Sequence, residues 1–95
     1  MPVTLINAFE VPIGDEPMFL QRWKRTSEQA EVKPGFIETK LHRALRDDAR
    51  FLYVNMAVWE SEEAYHAAFK SIDVHEKKIL SVHANPALYK VVARS

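Results

Sequence analysis

Cysteine is absent from the 95 residues, which excludes disulfide scaffolds, iron–sulfur clusters, thiolate zinc sites and thiol nucleophiles together. Glycine is almost as scarce. Only Gly14 and Gly35 occur, so no glycine-rich loop exists to cradle a phosphate, and nucleotide or flavin recognition by the usual motifs is excluded. Charge of one sign is missing too: 13 basic and 13 acidic residues cancel to a formal net charge of zero. That balance removes the electrostatic footprint of a nucleic-acid or anionic-membrane partner. The most apolar stretch, Phe51 to Trp59, is interrupted by Asn55 and is far too short to span a bilayer. Met1-Pro2-Val3-Thr4 carries neither a basic n-region nor an apolar h-region. The expectation is a soluble, cytoplasmic protein. No repeat, low-complexity tract or shift in composition marks a linker, so residues 1–95 are expected to form a single domain. No two histidines stand at i,i+4 and no HExxH motif occurs, so no metal site is expected. One modest core is all that a chain of this length supports, and a roomy cavity in a monomer would be costly.

What is present is a clear alternation of periods. Val3, Leu5, Asn7, Phe9 and Val11 fall on one face at period two, which predicts a first strand over Val3 to Val11. Pro12-Ile13-Gly14 breaks it. Asp15 then stands where an N-cap belongs, Glu16 and Pro17 suit a first turn, and Phe19, Trp23, Thr26 and Ala30 follow at helical spacing up to Lys33-Pro34-Gly35. Phe36 to Leu45 and Phe51 to Trp59 read as a hairpin closed by the polar turn Arg46 to Arg50. Ser61 caps a second helix whose apolar stripe is Ala64, Tyr65, Ala68 and Phe69. Lys70 to Asp73 is expected to interrupt it, Val74 to Val82 to resume it, His83-Ala84-Asn85-Pro86 to close it, and Leu88 to Ala93 to form the last strand.

The order β-α-β-β-α-β is the ferredoxin-like arrangement, an α+β fold whose antiparallel sheet carries its helices on one face. On the opposite face, Ile6, Leu52, Val54, Met56 and Val58 would be too apolar to leave in water. A homodimer packed sheet to sheet is therefore expected.

Val58-Trp59-Glu60-Ser61-Glu62-Glu63-Ala64, a strand ending in tryptophan and running at once into a capped helix, joins Asn7 in the first strand and the Pro34-Gly35-Phe36 turn. In this combination the chain resembles the antibiotic biosynthesis monooxygenase family, and the likeness covers nearly its whole length in element order. The resemblance implies a dimeric α+β barrel. It also implies oxygenation of a phenolic, quinol-like or polyketide aromatic compound by dioxygen, with no cofactor. Haem-degrading monooxygenases share the superfamily, so haem is the alternative it implies. There Asn7 and Trp59 correspond to pocket residues, while an ungapped count puts Lys78 where an iron-ligating histidine belongs. His75, three residues earlier, is the substitute. A small-ligand-binding dimer without turnover is the third reading, because one fold hosts many jobs.

Cofactor-free oxygenation requires the protein to deprotonate an electron-rich ring, hold it dry and stabilise the resulting oxyanion. Asn7 offers an amide to such a site, or else a bond to a helix terminus or the sheet edge. Trp59 supplies a flat wall and one indole donor, and Trp23 either the opposite wall or simply core. His75, where the second helix breaks, is the candidate base, against a solvated surface position beside Glu76 and Lys77. Asn55 shares a face with Tyr53 and Trp59 and is either a second pocket amide or an inter-strand bond. His66 is expected to be exposed, and His83 to serve the dipole at a helix end. His42 and Arg43 alternate across the second strand, one toward the helices and one toward the dimer face, with Arg43 expected to guard the sheet edge. The catalytic set is thus Asn7, Trp59 and His75, with Trp23 and Asn55 against the substrate.

Overall fold

The computed structural model describes residues 1–72 and 81–95. Its elements are β1 (Val3–Glu10), α1 (Glu16–Ala30), β2 (Phe36–Arg43), β3 (Tyr53–Trp59), α2 (Glu62–Ser71) and β4 (His83–Tyr89). The strands form one antiparallel sheet in the order β2-β3-β1-β4, with both helices on one face, as the alternation predicts. This is the ferredoxin-like α+β fold. The strand order puts β1 and β3 at the centre, and their inward side chains form the floor beneath the helices.

Local chemistry accounts for most boundaries. The Ser61 Oγ accepts the Ala64 N–H at 3.1 Å, capping α2, and Glu62 and Glu63 complement the positive end of its dipole. Among the described residues Gly35 is the only one with positive φ, at 88°. A Cβ there would stand 2.5 Å from the Cβ of Ala64, so the absent side chain is what lets the turn into β2 lie against α2. Asp15 occupies the N-cap position of α1 without bonding a helical N–H; its carboxylate accepts from the Ser81 hydroxyl instead.

The last strand departs from the sequence reading. It runs from His83 to Tyr89, not from Leu88 to Ala93, and the residues expected to close a helix are themselves strand. An edge strand tolerates Pro86, whose missing N–H would break a central ladder. Opposite it, the side chains repair the gap: the Asn85 N–H donates to Asn7 Oδ1 at 3.0 Å and Asn85 Nδ2 donates to the Ala8 carbonyl at 2.9 Å. α2 ends at Ser71, where an interruption was expected; the resumed helix over Val74 to Val82 falls almost wholly outside the described residues, as does His75.

Two apolar clusters flank the middle of the sheet. One gathers Leu5, Ala30, Ala57, Trp59, Ala68 and Ile72; the other gathers Val11, Phe19, Leu52 and Tyr53. Leu52, expected on the bare face, is instead 1% exposed in the second cluster, because it precedes β3 and escapes the strand's alternation. Full burial of such a side chain contributes about 1.5–3 kcal/mol. The bare face retains Ile6, Val54 and Val58, half-buried, with Met56 and Ile37 exposed.

α1 is fixed to the sheet near its ends, by Phe19 in one cluster and Ala30 in the other. A polar latch reinforces the first contact. Buried Tyr53 donates its hydroxyl to Glu16 Oε1 at 2.6 Å, and Arg43 Nε donates to the same oxygen at 2.8 Å while its Nη2 reaches Asp47 at 2.9 Å. Arg43 thus faces the helices and clamps α1, and does not guard an edge; His42 takes the opposite face, against the Val54 carbonyl. The Arg43 and Tyr53 bonds hold the Glu16 carboxyl below its ordinary value of 4.5. The unfolded chain therefore binds more protons there, and the latch stabilises fully above pH 4.5 and loses its effect as pH falls through the lower folded value. Urea unfolding across the acid range is expected to show a shallower stability loss below pH 4.5 in Glu16→Gln than in the parent. Parallel acid limbs would remove the latch from the account.

Candidate active site

Because α1 touches the core near its two ends, its middle stands off the sheet and roofs a cleft of about 780 Å³, within the range of small-molecule sites. The sequence argument against a roomy cavity is overturned by this division of one small core into two clusters with space between them. The floor is a row of polar residues from the three strands. Asn7 and Asn55 face each other directly in the β1/β3 register, and Thr39 of β2 stands beside them. Trp23 lines the roof, half-buried, and Trp59 with Phe36 and Tyr65 forms the closed end.

Both amides are committed at one end only. Asn7 Oδ1 accepts the Asn85 N–H, and since a backbone N–H can only donate, the amide orientation is fixed by chemistry. The Asn7 Nδ2 donors have no bond to another described residue and belong to the cleft lining. Asn55 Oδ1 accepts from the Thr39 hydroxyl at 2.9 Å, leaving its own Nδ2 in the same position. The alternatives weighed for Asn7 and Asn55, pocket amide or inter-strand bond, are both realised, because an amide has two ends.

Trp59 is 1% exposed and meets Phe36, Tyr65 and Phe69 edge to face at centroid distances of 5.4, 6.1 and 6.3 Å. Its indole Nε1–H is the one buried side-chain polar atom without a partner among the described residues. A donor buried unpaired costs about 1–3 kcal/mol, so a ligand acceptor is its natural complement. Burial raises the Tyr65 hydroxyl above its ordinary value, keeping it neutral beside the indole.

Two further residues line the cleft that the sequence reading did not place there. His83, assigned to a helix end, is the first residue of β4 and an exposed imidazole on the lining. Arg22 of α1 lines it too, half-buried. Of the other histidines, His66 is exposed beside Glu62 at 3.3 Å and His42 lies on the far face, while His75 falls outside the described residues. Among the described residues no three His, Asp or Glu side chains gather to hold a metal, and no helix is long and apolar enough to cross a membrane.

The site is therefore aromatic walls around a row of polar side chains whose amide N–H groups have no partner among the described residues, an arrangement suited to a flat ring bearing oxygen. Comparison with known proteins is consistent with it. The family model for antibiotic biosynthesis monooxygenase matches residues 2–77, and the chain belongs to that family. A mycobilin-producing heme oxygenase of Mycobacterium tuberculosis is 39% identical over 67 residues, spanning 70% of this chain and 62% of that relative's length. A protein of Shewanella loihica PV-4, provisionally described as a monooxygenase, superposes with a TM-score of 0.88 at 30% identity over 98% of this chain and 96% of its own. A heme-degrading protein of Mycobacterium tuberculosis, solved with two hemes in its active site, superposes at 0.72 with 28% identity over 98% of each chain.

Proposed function

We propose that the protein is a monooxygenase acting on a planar aromatic compound of phenolic, quinol-like or polyketide type, held in the cleft between α1 and the sheet. The observation that carries this reading is the set of unspent donors on an aromatic-walled site. Asn7 Nδ2 and Trp59 Nε1 have no protein acceptor among the described residues, and none of the described lining residues is a carboxylate that could supply one. Such donors are complementary to the oxyanion of a deprotonated substrate and strengthen as charge develops on it.

In this mechanism a cleft histidine takes the ring hydroxyl proton. His83 lines the cleft, and His75, proposed from the sequence, is the second candidate. The electron-rich anion transfers one electron to dioxygen, and the radical pair recombines at ring carbon as a peroxide. Protonation and loss of water then leave the carbonyl product, so one dioxygen supplies both the inserted oxygen and the water, with no external reductant. Trp23 and Trp59 hold the ring flat, and Asn55 keeps Asn7 company as a second donor. The bare face of the sheet supports a homodimer, to be checked by light scattering on a size-exclusion column; a monomer at micromolar concentration would reject it.

The cleft also fits haem as substrate, the reading favoured by the 39% identical relative. The aromatic walls match a flat macrocycle, and His83 is the imidazole available to iron on the described lining. Oxygen uptake with a hydroquinone panel, set beside a hemin titration followed at the Soret band, separates the two. Uptake with a quinol and no Soret shift is the expected result. A Soret shift lost in His83→Ala or His75→Ala, without quinol turnover, transfers the assignment to haem.

A further inference from the structure

The charge on the cleft is one-sided. The chain carries equal numbers of acidic and basic residues, yet among the described residues no aspartate or glutamate lines the cleft, whereas Arg22 does. Three other described arginines have found carboxylates: Arg43 meets Glu16 at 2.8 Å, Arg46 meets Asp48 at 3.6 Å and Arg50 meets Glu10 at 2.8 Å. Arg22 has neither a hydrogen bond nor an ion pair to another described residue, although it is half-buried against the aromatic wall of Phe19 and Trp23. A guanidinium there has lost part of its water and gained no counter-charge from the described residues, which strengthens its pull on an anion that enters the cleft. It also stands on the stripe of Phe19 and Thr26, at i−3 and i+4, so its stem is directed along the roof of the site.

We infer that Arg22 is a specificity-determining residue, and that the aromatic substrate carries a carboxylate which the guanidinium binds while the ring lies between Trp23 and Trp59. The inference rests on the reading of the cleft as an aromatic-substrate site and deepens it by adding an acid group to the substrate. A planar guanidinium receives a carboxylate through two parallel N–H donors, which fixes the in-plane orientation of the ring as well as its affinity. The Asn7 and Trp59 donors then meet the ring oxygen at the other end. Two kinds of molecule offer this chemistry, a small hydroxyaromatic acid and a porphyrin bearing carboxylate side chains.

Binding measured without turnover tests it, so a failure of oxygenation leaves the result readable. Anaerobic titrations of tryptophan fluorescence with a hydroxynaphthoate and with the corresponding naphthol compare ligands that differ only in the carboxylate. The parent is expected to bind the acid about tenfold more tightly. Arg22→Gln should erase that preference while changing naphthol affinity less than about twofold, and Arg22→Lys should retain part of it. Hemin and its dimethyl ester, followed at the Soret band, form the second arm. A preference for the acid in the naphthalene pair identifies a small aromatic acid, and a preference confined to the porphyrin pair identifies haem. Equal affinities within both pairs in the parent overturn the inference, as does an Arg22→Gln protein that binds acid and neutral ligands weaker by the same factor.

Discussion

Asn7→Ala is expected to lower kcat on an oxidisable hydroxyaromatic substrate by about 10²–10³-fold, the loss typical of removing one preorganised donor from a developing oxyanion. The KM should move far less, because the neutral ring is held chiefly by its aromatic walls. A simple truncation would confound chemistry with folding, since Asn7 Oδ1 also receives the Asn85 N–H beside Pro86. Losing that bond at an exposed edge costs on the order of 1 kcal/mol. Asn7→Asp separates the two roles. It keeps an oxygen for the Asn85 N–H but replaces the Nδ2 donors with a second acceptor, setting negative charge where the substrate oxyanion forms. Urea midpoints should place Asn7→Asp near the parent and Asn7→Ala below it, whereas steady-state oxygen uptake should find both variants severely impaired. Asn7→Asp with activity within threefold of the parent would assign Asn7 to the sheet edge alone.

The alternation of β1, α1 and β3 made the fold legible, because each buries one continuous face and its apolar residues recur at the period of the element. Ser61 was legible as a cap for the same local reason. β4 was not. Its run His83-Ala84-Asn85-Pro86 has no β-branched residue and contains proline, and it is strand only because β1 offers a free edge and Asn7 and Asn85 side chains patch the ladder around Pro86. Misplacing that strand moved His83 from the cleft to a helix end. Arg22 escaped notice because an arginine on an amphipathic helix reads as solvated, although its spacing from Phe19 and Thr26 marks the inner stripe. The side of β2 that faces the helices depended on the irregularity between Phe36 and Glu38, which shifts the register by one residue and turns Arg43, not His42, toward α1. No local pattern announces such a shift.

Trp59→Ala is expected to destabilise the protein by about 3–5 kcal/mol, the range for emptying a buried aromatic site. The residue is enclosed by Phe36, Tyr65 and Phe69 and anchors the cluster that also receives Ala30 of α1, so the roof of the cleft loses support along with the core. Against a domain stability of about 5–15 kcal/mol, the variant should be marginal at ambient temperature, and its activity would say nothing about chemistry. Trp59→Phe is the informative change. It retains most of the edge-to-face packing and deletes the Nε1–H that has no partner in the described protein. The volume lost lowers stability, but removing a donor that was buried unpaired offsets it by about 1–3 kcal/mol, so the melting temperature should stay close to that of the parent. Turnover should not. A hydrogen bond to the substrate oxyanion is worth about 1.5–3 kcal/mol, which corresponds to a drop of roughly ten- to a hundredfold in kcat/KM. A protein that keeps its stability while losing activity would show that the indole donor is retained for the ligand at the expense of the fold. Unchanged kcat/KM in Trp59→Phe would make Trp59 a core residue and leave the Asn7 and Asn55 amides as the donors to the substrate.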